Sequence, residues 1–226
     1  FYMHRLDLSN PAHPQWLPPV NVPGSVVDFN PSTNRIVTVD YQMVTFAGSD
    51  WDFCYEHASG MYVWFEDGEC KYLQRRLAIS AFDGQNAWLQ RTHTFDGWLR
   101  NVRATGSRVF IDEQPWSYWY WYDTNDGTEP DMRSILHVIP LNSSSYDITA
   151  SIRMQSPYAY LVEAFGNHAL VVSDTPPLLS IYNAANPQNP VSRGETLLTG
   201  YSYDMQFVNG RIVSANSMWG VQTIDP

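Results

Sequence analysis

Lysine is almost absent from this chain: Lys71 is the single one among 13 basic residues, which face 23 acidic residues. The resulting formal charge of −10 and isoelectric point near 4.8 leave no basic surface to grip phosphates, so nucleic acid is excluded as an expected partner. Long hydrophobic runs are missing as well. No stretch of 18 apolar residues occurs, and a membrane-spanning helix is therefore not expected. Catalytic signatures are equally scarce: there is no Gly-x-Ser-x-Gly elbow, no His-Glu-x-x-His, no phosphate-cradling glycine loop and no dinucleotide fingerprint. His4, His13, His57, His93, His137 and His168 are scattered rather than grouped. The expectation is a protein without catalytic residues or an obligatory cofactor. Helical periodicity is lacking in every long segment.

What the chain does contain is a ruler. A small turn residue is followed 11 positions later by a short apolar strand, four times: Gly24 before Arg35-Ile36-Val37, Gly97 before Arg108-Val109-Phe110, Pro157 before His168-Ala169-Leu170, and Gly200 before Arg211-Ile212-Val213. The first and last copies agree further. Asn10-Pro11-Ala12-His13-Pro14 and Asn186-Pro187-Gln188-Asn189-Pro190 each begin 14 residues before their turn glycine, and Asp28 and Asp204 share an offset after it. Between these marks lie runs rich in Val, Ile, Tyr, Phe and Thr, bounded by Gly, Pro, Asn and Asp, which read as half-buried antiparallel strands. Asn209-Gly210, Thr105-Gly106-Ser107 and Gly166-Asn167 read as tight hairpin turns.

Four strands per repeat describe the blade of a β-propeller. The expected fold is all-β, with four complete four-stranded blades at about 19–83, 88–142, 148–184 and 191–226. Phe1 to Leu8 is then a surplus fourth strand, so the expectation is one propeller domain over 1–226, as a slice of a larger ring; a closed four- or five-bladed ring is the rival.

The turn residues are 73, 60 and 43 positions apart, and 43 is about one blade. The surplus falls in two insertions, 41–74 and 115–132, each expected between the third and fourth strands of its blade and on a common rim. These 52 residues hold 15 of the 33 aromatics. Aromatic side chains are enriched at recognition surfaces, so Trp51, Tyr55, Tyr62, Trp64, Trp116, Tyr118, Trp119, Tyr120, Trp121 and Tyr122 are the candidate partner-binding residues. The partner is expected to be a protein or a neighbouring subunit, with a glycan as the alternative. A plainer reading is an extra hairpin, Met61 to Phe65 against Lys71 to Arg76, that buries the rings against each other. After the second aromatic run, Asp123, Asn125, Asp126, Glu129 and Asp131 offer clustered oxygens of the kind calcium takes, although the spacing departs from the helix-loop-helix pattern and a solvated turn is the simpler reading.

Cys54 and Cys70 are the only cysteines. A disulfide is the natural reading, which would place the protein outside the cytosol; a metal site with His57 and a pair of free thiols are the alternatives.

The strands Arg5-Leu6-Asp7-Leu8-Ser9-Asn10-Pro11-Ala12-His13-Pro14 and Asn34-Arg35-Ile36-Val37-Thr38-Val39-Asp40, together with Gly200 to Asp204 and Gly220 to Asp225, resemble the repeats of bacterial and archaeal secreted β-propeller proteins, including the LVIVD-repeat proteins. The second and third repeats keep the ruler but carry Phe82-Asp83-Gly84 and Leu141-Asn142-Ser143 in place of Asn-Pro. The resemblance implies a propeller exported to the cell surface, periplasm or medium, and it implies no active-site residue. The functional expectation is an extracellular interaction or scaffold module; a propeller-fold enzyme acting on glycans, or a lectin-like module, is the alternative.

Overall fold

The computed structural model describes residues 1–58, 61–115, 133–142, 144–156, 158–202, 204–216, 218 and 220–226. Among these residues it is all-β with one short helix, and the chain divides into two compact units, Phe1–Phe95 and Asp96–Pro226.

In the first unit, β1 (Tyr2–Asp7) and β2 (Gln15–Asn21) form an antiparallel hairpin. A sheet, here sheet I, follows as an antiparallel meander of β3 (Ser25–Asn30), β4 (Arg35–Ala47), β6 (Glu69–Phe82) and β7 (Ala87–Phe95). Helix α1 (Trp51–His57) and β5 (Met61–Glu66) lie in the connection from β4 to β6, and β5 and β7 occupy successive stretches of one edge of β6. Val20 of β2, Val22 just after it and Ile36 of sheet I are buried together, so the hairpin covers one face of that sheet.

Among the described residues the second unit holds three sheets. Sheet II is β8 (Trp98–Thr105), β9 (Arg108–Gln114), β10 (Ile135–Pro140) and β11 (Ala150–Arg153). Sheet III is β12 (Tyr160–Phe165), β13 (His168–Asp174), β14 (Pro177–Asn183) and β15 (Val191–Leu197). Sheet IV has three strands, β16 (Asp204–Val208), β17 (Arg211–Ala215) and β18 (Val221–Ile224). Because side chains alternate along a strand, β13 serves two neighbours. Ala169 and Val171 pack with Phe110, Leu136 and Val138 of sheet II, while Leu170 and Val172 pack with Met205 and Ile212 of sheet IV. Burying such side chains stabilises by about 1.5–3 kcal/mol each.

The ruler marks equivalent strands. Arg35, Arg108, His168 and Arg211 each open the second strand of a sheet. Register repeats too: a bulge in the first strand faces Val37/Thr38 in sheet I and Leu170/Val171 in sheet III, and a bulge in the outer strand faces Ile79/Ser80 and Ile181/Tyr182. The two Asn-Pro elements fold alike. Asn10 and Asn186 each accept a hydrogen bond on Oδ1 from the N–H two residues on and on the backbone carbonyl from the N–H three residues on, in the connections from β1 to β2 and from the third to the outer strand of sheet III. Asn209 and Gly210 sit at φ of 51° and 80°, as a tight hairpin turn requires.

Three sequence expectations are corrected. First, the strands group one position later than expected. The segment 87–95, expected to open the second blade, is the outer strand of sheet I, and 191–197 is likewise the outer strand of sheet III. The turn glycines therefore do not close hairpins; they mark crossings between sheets. A Cβ on Gly24 would meet the Val39 carbonyl oxygen at 2.6 Å, and one on Gly97 would run into the Gln114 carbonyl, so the crossing chain passes too close to the second strand for any side chain. The insertions accordingly fall between second and third strands. Second, four complete blades are not present: among the described residues three sheets have the four-stranded meander, sheet IV has three strands, and the N-terminal segment is a two-stranded hairpin instead of one surplus strand. Third, Asp28 and Asp204 are not equivalent. Asp28 lies opposite Val37 and Asp204 opposite Ala215, because sheet I has a four-residue turn and a bulge where sheet IV has a two-residue turn and none.

Candidate functional site

The first insertion builds a small knob on the end of sheet I. β4 and β6 run on past the sheet as a long hairpin, and β5 adds a third strand, with Phe65 opposite Cys70 and Trp64 opposite Lys71. The extra hairpin read from the sequence is therefore present. Alternation divides its residues. Val44, Phe46, Val63, Phe65, Cys70 and Tyr72 gather on one face and are covered by Phe53, Cys54 and Ala58 from α1 and its end. Asp50 caps α1, accepting on its side chain from the Phe53 N–H at 2.9 Å and from the Ser49 hydroxyl; the Phe53 bond first, then Ser49, holds the Asp50 carboxyl below its ordinary pKa.

Cys54 and Cys70 are joined in a disulfide that fastens the helix to β6. This replaces the metal-site alternative: both sulfurs are consumed, and His57 stacks on Phe53 with Nδ1 at 2.9 Å from the Phe53 carbonyl oxygen. Among the described residues no three His, Cys, Asp or Glu side chains are grouped to hold a metal ion. A Cβ on Gly48 would collide with the Cys70 sulfur, so glycine there lets the chain close over the bond.

Among the described residues the opposite face of the hairpin is largely exposed. Tyr41, Met43 and Tyr62 are exposed and Trp64 and Leu73 half-exposed, around a buried Arg75 whose Nη2 donates to the Tyr41 hydroxyl at 2.7 Å and whose guanidinium lies 5.0 Å from that ring's centre. Burial pushes Arg75 below its ordinary pKa, and Tyr41 opposes the shift. Lys71, beside Trp64 on this face, is paired with Glu66 at 2.9 Å, while Arg76 and Asp40, paired at 2.6 Å, alternate onto the other face of the strands. On the outer side of α1, Trp51 and Tyr55 are exposed and stacked at 6.0 Å.

Of the candidate residues, Trp51 and Tyr55 thus lie together on one side of the knob and Tyr62 and Trp64 on the other. Trp116, Tyr118, Trp119, Tyr120, Trp121 and Tyr122, and the candidate calcium residues Asp123, Asn125, Asp126, Glu129 and Asp131, lie outside the described residues. Exposed aromatics are not confined to the insertions, since Trp16, Trp88, Trp98, Tyr158 and Tyr201 are also at the surface.

Two buried polar groups escaped the sequence reading. Asp112, with no exposure, is paired with Arg100 at 3.1 Å and accepts the Leu161 N–H at 3.0 Å; Arg100 also donates to the Ser134 hydroxyl and to the Ala159 carbonyl. Arg100 is the bulged residue of β8, and the bulge aims it between sheets II and III. Burial raises the Asp112 pKa, against the pull of Arg100. Beside it, Glu113 joins His137 Nε2 at 2.7 Å and accepts the Gly97 N–H at 2.6 Å, while His137 Nδ1 meets the Ser151 hydroxyl at 2.8 Å. His137 and Ser151 are direct cross-strand partners, a relation that only the strand register reveals. No helix among the described residues is long and apolar enough to cross a membrane. Compared with known protein families and with curated proteins, the chain matches no family model and no curated protein.

Proposed function

We propose that this protein is an extracellular interaction module of β-propeller type, in which sheets I to IV are blades and the disulfide-closed knob is the partner-binding element. One observation carries the reading: the hairpin of β4, β5 and β6 leaves Tyr41, Met43 and Tyr62 exposed and Trp64 half-exposed around Arg75 while the same strands bury a core on their other side. Aromatic and arginine side chains dominate binding energy at protein interfaces. The partner is a protein. The disulfide supports an oxidising compartment outside the cytosol, and the repeated register supports the blade reading.

Placing a photoreactive residue at position 43 tests this. Cross-linking to a discrete protein is expected, lost on Tyr62→Ala combined with Trp64→Ala, and absent when the same probe stands at Trp88 on β7. Equal capture from both positions removes the assignment. A second reading, hydrolytic chemistry, is favoured by the order Ser151, His137, Glu113, with a hydroxyl, an imidazole and a carboxylate in hydrogen-bond contact. Fluorophosphonate labelling of Ser151 that vanishes in His137→Ala supports it; no labelling discards it.

A further inference from the structure

At the entry to each of sheets II, III and IV, the residue after the ruler mark is an exposed aromatic. Trp98 follows Gly97, Tyr158 follows Pro157 and Tyr201 follows Gly200, and the three are 44%, 59% and 56% exposed. Two contacts show that these positions correspond in space as well as in sequence. Two residues beyond the aromatic, Arg100 of sheet II donates to the Ala159 carbonyl, and the Tyr160 hydroxyl of sheet III donates to the Ser202 carbonyl at 3.3 Å. In both cases the acceptor directly follows the next sheet's aromatic. The step from sheet II to sheet III is thus repeated from sheet III to sheet IV, and Trp98, Tyr158 and Tyr201 stand in succession at one end of the three sheets. The crossing itself does not require an aromatic, since sheet I has Ser25 at this position.

Polar groups at the same end are incompletely paired. Asp174 closes β13 and is half-buried, and its Oδ1 is buried with no hydrogen-bond partner among the described residues. Tyr160 lies opposite Val172, so Asp174, two residues further along β13, lies toward the turn that carries Tyr158, where the Ala159 N–H donates to the Ser156 carbonyl at 3.1 Å. Arg100, 5.6 Å from the centre of the Tyr160 ring, has an Nε that is likewise buried and unpaired among the described residues. Burial pushes the Asp174 carboxyl above its ordinary pKa and Arg100 opposes the shift, so carboxylate and guanidinium share one neighbourhood. Polar groups held this way carry an unrecovered desolvation cost. A hydroxyl donor reaching the half-exposed carboxylate would recover part of it.

We infer that this end of the second unit is a glycan-binding face, on which Trp98, Tyr158 and Tyr201 stack on successive stretches of a neutral oligosaccharide and Asp174 accepts its hydroxyl groups. Charge selects a neutral ligand. Arg100 already brings a positive charge to Asp174, which disfavours a second cation, and the formal charge of −10 disfavours an anion. Sugar rings present C–H faces that pack on the electron-rich faces of Trp and Tyr, and their hydroxyls both give and take hydrogen bonds. A linear glycan repeats its ring as the sheets repeat their aromatic. The face uses no residue of the knob, so either assignment can fail without the other.

The test titrates the full chain with cello-, laminari-, malto- and chitohexaose and the matching disaccharides, reading heat by calorimetry and amide shifts by NMR. At least one hexasaccharide is expected to bind, about tenfold or more tighter than its disaccharide because several rings are engaged at once, with shifts at Trp98, Tyr158, Asp174 and Tyr201. Tyr158→Ala and Tyr201→Ala should each weaken binding by about two- to tenfold. Asp174→Asn, which keeps the side-chain shape, should weaken it by about as much, while Trp88→Ala on β7 should leave it unchanged; unaltered urea midpoints show that the variants are folded. Four outcomes overturn the inference: no hexasaccharide binds at millimolar concentration, disaccharide and hexasaccharide bind equally, binding survives Tyr158→Ala combined with Tyr201→Ala, or a lysine hexapeptide binds this face and the sugars do not.

Discussion

Replacing both Cys54 and Cys70 by alanine should loosen the knob and leave sheet I intact, and the size of the effect follows from the loop. The bond closes 16 residues of sequence separation, and the chain-entropy relation gives about 3 kcal/mol for a loop of that length. Alanine is chosen because both sulfurs are fully buried among Val63, Tyr72 and Phe46, where a serine hydroxyl would add a desolvation cost of its own. The strands make the experiment self-controlled. β4 pairs with β6 over thirteen consecutive residue pairs, Arg35 with Ala81 through Ala47 with Glu69, so the same two strands report on sheet I at one end and on the knob at the other. Amide exchange measured by mass spectrometry should quicken on the order of 100-fold at residues 43–47 and 69–73, the factor that about 3 kcal/mol represents. Residues 36–39 and 77–81, next to the fully buried Ile36, Val37, Leu77 and Ile79, should change by no more than a few-fold. Equal acceleration at both ends would mean that the knob and the sheet open as one unit. No acceleration at either end would mean that the apolar face alone holds the knob, and the disulfide-dependent reading would fail.

Asp112→Ala should destabilise the second unit by about 3–5 kcal/mol, since it strands the Arg100 guanidinium and the Leu161 N–H; urea unfolding checks it, and a loss below about 1 kcal/mol would contradict the pairing. Gly97→Ala, which sets a methyl against the Gln114 carbonyl, should cost about 1–3 kcal/mol in the same assay, whereas Gly24→Ala should act on the first unit. Burial pushes the Glu113 carboxyl up, but the hydrogen bonds from His137 and Gly97 outweigh it and the net pKa is lowered. Its stabilising contribution is therefore present above the unfolded-state value of about 4.3 and is lost as pH falls through the lower folded value. Glu113→Gln should flatten that acid limb in a pH series of urea midpoints; an unchanged limb would assign the acid loss to other carboxylates.

The sequence carried the strand starts and the disulfide because each depends on local chemistry. Arg35, Arg108, His168 and Arg211 mark second strands through turn residues and apolar alternation within a few positions. Sheet membership was less legible, because a glycine at a hairpin turn and a glycine at a crossing between sheets look the same until the partner backbone, Val39 or Gln114, is in place. The uniform spacing of 11 also hid a compensation: sheet I spends four residues on its first turn, and sheet II spends two and gains them back as strand. At the candidate site, the hairpin of Met61 to Phe65 was readable from alternation, but the division of its rings was not. Phe46, Phe53, Phe65 and Tyr72 turn inward because α1 lies over them, and a seven-residue helix with a single Asp cap leaves too short a periodic signal to recognise. Asp112 and His137 were invisible for a related reason, since their partners Leu161, Arg100 and Ser151 come from other strands.

The unbroken passage of β4 and β6 from sheet into knob has a mechanical consequence. At about 3.3 Å per residue a thirteen-residue strand is a beam roughly 40 Å long, anchored at Ile36 and Ile79 and tied near its tip by a covalent strut. Such an arm has no swivel at its base, so whatever docks on its tip meets a surface already fixed in shape, surrenders little motion on contact, and passes any pull on it straight down the paired backbones into the sheet.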